Sequence, residues 1–186
     1  MVALLRKPVV WVGLVVLAVV AAVALALFQP WLLFVDETVN ESGPAGVTAP
    51  AATPGGGQQP PQGQQGQQGP QVLAGGSFIS HEHGTSGTVK VIRLADGKRV
   101  LRIENLDTSN GPDLWVWLSD QPVKEGTGGW FVFDDGAYVE LGRLKGNKGS
   151  QNYEIPADAD LGRLTSVTIW CKRFHVSFGA AALKAA

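Results

Sequence analysis

One cysteine occurs in the 186 residues, Cys171, inside a stretch from Val167 to Ala181 that reads VTIWCKRFHVSFGAA. Lys172 and Arg173 follow it directly and would favour a thiolate if the sulfur were exposed, the condition for redox thiol chemistry. With no second cysteine there is no intramolecular disulfide, no clustered-thiol zinc or iron–sulfur site, and no covalent c-type haem through C-x-x-C-H. Thiol turnover therefore requires an external partner or an oxidised-sulfur state. A metal role would draw on His175, four residues on, and on His81 or His83, a His₂Cys set of the kind copper accepts on a β scaffold. The usual methionine is missing, because the sole Met is Met1. In a continuous strand through Phe174–Phe178, His175 also points away from Phe174 and Val176. Copper and a non-covalently held haem are the cofactors left open. The structural alternative is equally concrete: Val167 and Ile169 share the parity of Cys171, and free cysteines are among the most buried residue types.

A second group with chemical capacity is aromatic. Leu114-Trp115-Val116-Trp117-Leu118 is apolar on both faces, with Trp115 and Trp117 together on one of them. With Trp130, Phe131, Phe133 and Tyr138 they form either a platform for a sugar or flat cofactor, or core packing under a long loop. Trp170, next to Cys171, joins the cofactor-shaping candidates. His81 and His83, separated by Glu82, read as surface residues, and Asp113 as a turn or hydrogen-bonding residue at a strand start. The motifs G-x-S-x-G, H-E-x-x-H and G-x-x-x-x-G-K-[ST] are absent. Asp134-Asp135-Gly136 reads as a turn and not as paired catalytic carboxylates. Charge is balanced, 15 basic against 16 acidic residues, with pI ≈ 6.3 and no Lys/Arg-rich run, so nothing predicts a nucleic-acid partner.

These residues need a scaffold, and 75–183 has the pattern of an all-β domain. Strands are expected at Ser77–Ser80, Gly87–Leu94, Arg99–Leu106, Leu114–Ser119, Tyr138–Leu141, Asn152–Ile155, Ser166–Cys171 and Phe174–Gly179. Turn signals such as Ala95-Asp96-Gly97, Ser109-Asn110-Gly111-Pro112 and Gly146-Asn147-Lys148-Gly149 separate them. Short strands at this spacing predict an antiparallel β-sandwich or a barrel-like closure.

Upstream, Val9 to Phe28 contains no charge, and such a run makes a helix about 30 Å long, the thickness of a bilayer's hydrocarbon. A transmembrane anchor is expected over 9–35. Arg6 and Lys7 precede the run, which places the short N-terminus (1–8) in the cytoplasm and the rest outside. Ala24-Leu25-Ala26 resembles a signal-peptide cleavage site; of the two readings an uncleaved anchor is favoured, because the apolar run is longer than a signal's and continues past Ala26. Residues 36–74, rich in Gly, Pro and Gln, read as a disordered linker holding the domain off the membrane, and 184–186 as a tail. The expected partners are the membrane and a redox partner or envelope component.

Three segments, GPDLWVWL (111–118), LGRLKGNKGSQNYEIP (141–156) and VTIWCKRFHVSFGA (167–180), together resemble the DM-thirteen domain. It is an extracellular all-β module often described as an electron-transfer domain. The resemblance covers about 75–183. His83-Gly84-Thr85-Ser86-Gly87 is similar to its opening motif, which with Asp113 and Tyr153 marks His83 as a structural motif residue. It implies a membrane-tethered, extracytoplasmic redox role centred on Cys171, with Trp170, Trp115 and Trp117 shaping a cofactor or partner surface. The alternative is a non-catalytic adhesion module for envelope polysaccharide or a protein ligand.

Overall fold

The computed structural model describes residues 8–44 and 69–186. Arg6 and Lys7 lie outside the described residues, as does 45–68, the greater part of the expected linker. Residues Pro8–Phe28 form a single helix, α1, with no side chain buried; it is long and apolar enough to cross a membrane. The helix stops where Gln29 adopts a left-handed conformation (φ 44°, ψ 53°) and Pro30 begins a short 3-10 turn, Pro30–Phe34. Proline has no N–H to continue the ladder. The freed carbonyls at the helix end find a donor on the β domain, since Arg173 Nη1 donates to Leu27 O at 2.5 Å.

Among the described residues ten strands follow: β1 Thr38–Asn40, β2 Gln71–Ser80, β3 Ser86–Arg93, β4 Arg99–Asp107, β5 Leu114–Ser119, β6 Tyr138–Arg143, β7 Lys148–Ile155, β8 Ser166–Cys171, β9 Val176–Ala182 and β10 Lys184–Ala185. They form one curled half-barrel sheet in the order β1-β7-β4-β3-β2-β9-β8-β5-β6, with β10 against β2. The all-β, barrel-like expectation holds, and every pairing is antiparallel except β1 with β7. The curl turns at β2, whose first part pairs with β3 while Phe78–Ser80 pairs with β9. Gly76 stands at that corner because a Cβ there would lie 2.1 Å from the Ala182 carbonyl oxygen.

Alternation along the strands sends one set of side chains inward. Val89, Val91, Leu101, Ile103, Leu114, Val116, Leu118, Val167, Ile169, Val176 and Phe178 make a single core inside the curl. Trp117, Trp170 and Phe133 form a second, smaller cluster on the outer side of β5 and β8. A long connection, 120–137, covers it and contributes Phe133.

The chain departs from its sequence reading at three places. Both ends of the expected 36–74 linker are strand: β1 at the near end, and 71–74 within β2 at the far end. Residues 184–185 of the expected tail form β10. The strand expected from Phe174 starts at Val176 instead, since Lys172–His175 is a four-residue turn closed by His175 at φ 50°. Phe174, in that turn, is 40% exposed and leaves the inward stripe that Val176 and Phe178 keep.

β1 is fastened by side chains as well as by its ladder. Asn147 accepts from Glu37 N at 2.7 Å and donates to Asp36 and to Thr108 O, both at 2.8 Å. Glu41 accepts from Asn152 N and from Lys145 Nζ, each at 2.7 Å, and its carbonyl oxygen accepts from Arg102 at 2.7 Å.

Candidate functional site

One end of the curled sheet gathers most of the residues with chemical capacity. The β2–β3, β4–β5, β6–β7 and β8–β9 connections all lie there, and α1 arrives at the same end. Cys171 is the last residue of β8, facing inward beside Leu114 and Val176, its neighbours across the ladder. Its relative exposure is 0%. Backbone N–H groups of Phe174 and Arg173, in the turn after Cys171, and of Asp113, just before β5, hydrogen-bond toward the sulfur and favour the thiolate. Burial acts more strongly in the opposite sense and pushes the thiol pKa up, so the group is protonated near neutral pH. The adjacent Lys172 and Arg173 look elsewhere, Lys172 to Glu140 and the Trp115 ring, Arg173 to the end of α1.

His175 does not join Cys171. It is exposed on the outside of the turn, with Nδ1 3.0 Å from Asp134 Oδ2. Among the described residues no group of three or more His, Cys, Asp and Glu side chains is placed to hold a metal ion. His81 and His83 part company too. His83, half-buried, tilts over Phe178 at 4.0 Å between ring centroids and pairs with Glu82. His81, expected at the surface, is buried: Nδ1 lies 2.7 Å from Ser177 Oγ and Nε2 3.0 Å from Lys124 O. Ser177 Oγ in turn lies 2.8 Å from Thr168 Oγ1, making a buried polar chain beneath 120–137. Burial lowers the His81 pKa, the hydrogen bond to Lys124 opposing it. The signal for this site was the parity of Thr168 and Ser177, polar residues on strands whose other face was already spoken for by core side chains.

The tryptophans divide in the same way. Trp117 and Trp170 are 3% and 0% exposed, with ring centroids 5.3 Å apart, and Phe133 meets Trp170 edge-on at 6.3 Å. They are packed under the long connection and present no open platform. Tyr138 stacks on Trp117 from the solvent side at 4.2 Å. Trp115, partly exposed, lies under two cations, Lys172 Nζ at 4.3 Å and Arg143 Cζ at 5.1 Å from its centroid. Asp113 fixes that arrangement by accepting from Trp115 Nε1 at 2.8 Å and from Arg143 at 2.9 Å. Tyr153 closes the far side of the curl: its hydroxyl donates to Gln151 Oε1 at 2.6 Å and accepts from Lys145 N at 3.1 Å.

Between α1 and this end of the sheet lies a cavity of about 460 Å³, the mouth of the half-barrel. Phe131, Phe174, Val176 and Phe178 line it from the domain, Phe28 and Leu32 from α1 and the turn after it. Phe28 stacks on Phe174 at 5.5 Å. The Cys171 sulfur lies one layer behind this wall, since Phe174 and Val176 line the cavity and also border the thiol.

A family model described as electron transfer DM13 matches residues 77–183, more than half of the chain. No curated protein and no solved structure matches it.

Proposed function

Because the chain belongs to the electron transfer DM13 family, we propose that it is a membrane-anchored protein whose β domain, held outside the cytoplasm, passes electrons in a step centred on Cys171. The carrying observation is the sulfur's setting. It is the chain's single thiol, sealed from water, with three backbone N–H groups directed at it. A sealed thiol with no resolving cysteine is a poor centre for disulfide exchange, which needs direct attack on sulfur. Each transfer oxidises the thiol to a thiyl radical: one electron crosses a layer of packed side chains to an acceptor that is reduced by it, the thiol proton passes to solvent at the turn, and re-reduction returns both. The electron's other station is then a redox group or partner at the mouth, on the far side of Phe174 and Val176.

The anchor reading draws on α1 and on the basic pair before it. One uncharged helix of 21 residues fits a single crossing, and Arg6 with Lys7 favours a cytoplasmic N-terminus. Trp115 is braced by Asp113 and two cations beside Cys171 and offers a partner-facing ring at the same end of the sheet.

Voltammetry of the full chain in lipid nanodiscs tests the redox centre. A reversible wave is expected in the native protein and its loss in Cys171→Ser, with the far-ultraviolet circular dichroism unchanged. A wave that persists in Cys171→Ser moves the centre elsewhere, and no wave in the native protein removes the electron-transfer function. Protease added to intact cells should clip the β domain; full protection would reverse the orientation.

A further inference from the structure

The geometry points to the half-barrel mouth as a binding site for the carbonyl-bearing ring of a lipid-soluble quinone, its apolar tail leaving along α1. This rests on the membrane-anchored electron-transfer reading and names the kind of group that would meet the domain there. Size is the first support: about 460 Å³ lies in the range of small-molecule and cofactor pockets. The lining is the second. Phe131, Phe174 and Phe178 make much of the wall apolar and aromatic, Phe131 being 54% exposed although large, and Glu82, His83 and Asn110 line it as well. A planar ring is the shape such walls accept best.

A third support is an unmade hydrogen bond. Trp130 lines the mouth, and its Nε1–H is buried with no acceptor among the described residues. The Nε1–H groups of Trp117 and Trp170 are also without an acceptor among the described residues, but neither of those residues lines the mouth. A buried donor without a partner is costly, and an acceptor brought to it relieves that cost. A quinone carbonyl is an acceptor on an otherwise apolar ring, which distinguishes it from a plain acyl chain. Access is the fourth support. Phe28, Pro30 and Leu32, at the end of the apolar helix, form the opposite wall, so a ligand dissolved in the bilayer reaches the mouth without crossing water.

The test is titration of the full chain in nanodiscs with a short-tailed ubiquinone, followed by quenching of tryptophan fluorescence and by calorimetry. Saturable binding is expected. Trp130→Phe, which keeps a ring and removes the N–H, should weaken it about three- to tenfold, the loss of one hydrogen bond. Phe174→Ala should also weaken it, and because Phe174 is partly exposed in a turn, that variant keeps the test decisive if Trp130→Phe does not fold. Absence of saturable binding overturns the site. So does equal competition by decyl alcohol, a tail without a carbonyl ring, or unchanged affinity in both variants. Quinone binding in a protein that shows no voltammetric wave would remove the electron-transfer function and leave the site; a wave without quinone binding would do the reverse.

Discussion

Asn147 and Asp36, 111 residues apart in the chain, are joined by a 2.8 Å hydrogen bond, and with it the segment that leaves the apolar helix becomes part of the β domain. The same Asn147 side chain holds Glu37 N and Thr108 O. It is buried at the β6–β7 connection, so removing it strands both backbone groups. Asn147→Ala should therefore lower stability by about 2–3 kcal/mol, the cost of two unsatisfied polar groups. Hydrogen exchange should rise over 36–42 before it rises elsewhere. Uniform exchange with no early loss of that segment would show that β1 is held by its ladder alone. The ion pairs beside it, Lys145 with Glu41 and Lys148 with Asp36, are well exposed and should each contribute little.

Cys171 should resist thiol reagents in the folded chain and react fully in denaturant, because the sulfur has no exposure. Its pH dependence has a definite sign. The unfolded thiol ionises near its usual value of 9.0, whereas burial holds the folded one protonated to higher pH. The native state then keeps a proton that the unfolded state sheds, so this contribution is whole below about pH 9 and is lost as pH rises through the folded value. Tyr153 has the same sign and starts later, near 10.0, its phenol raised chiefly by burial. Cys171→Ala should remove the earlier part of the alkaline decline in melting temperature and leave the later part.

Acid acts through His81. Burial depresses its pKa, so below the usual 6.5 the unfolded chain takes up a proton that the folded chain refuses. Stability present above pH 6.5 is lost as pH falls through the folded value. His81→Gln should flatten that acid limb while lowering stability at neutral pH by about 1–3 kcal/mol through the groups left at Ser177 and Lys124. An acid limb of unchanged steepness would assign it to the carboxylates, of which Asp120 and Asp36 are both held below their ordinary values by hydrogen bonds.

Phe133 pins the long connection onto the outer cluster, touching Trp170 and His81. Phe133→Ala should cost about 3–5 kcal/mol as a buried aromatic truncation. It should also open Trp117 and Trp170 to acrylamide quenching. Protection of both indoles in a folded Phe133→Ala variant would mean that Val123 and Val132 cover them unaided.

Strand alternation made most of the sheet readable: Leu114–Ser119 and Ser166–Cys171 have the bounds their sequence suggests. Thr38–Asn40 gave no such signal, since three residues cannot show a period and their partner strand lies more than a hundred residues away. Leu73-Ala74 reads as the end of a Gly-rich tract, yet both lie in β2, where Gly76 allows the close approach of the Ala182 carbonyl. Parity placed Trp115 and Trp117 on one face correctly. It could not show that 120–137 would fold over Trp117, because what covers a face is a tertiary fact. For Cys171, parity indicated the core and the adjacent basic residues indicated a thiolate. The sulfur is buried, which holds the thiol protonated, and the turn at His175 carries the Lys172 and Arg173 side chains away from it.

The short passage from Val35 to Glu37 has a mechanical consequence. A chain that enters the sheet within a few residues of its helix acts as a splint, whereas a tether would let the domain wander. The 28 residues between Ser42 and Gln71 leave one strand and return to the same sheet, so lengthening them adds closure entropy, about 0.6 kcal/mol per doubling, and adds no reach. The separation between Cys171 and the end of α1 is therefore set by the sheet and its fastening of β1, and does not depend on the length of that connection.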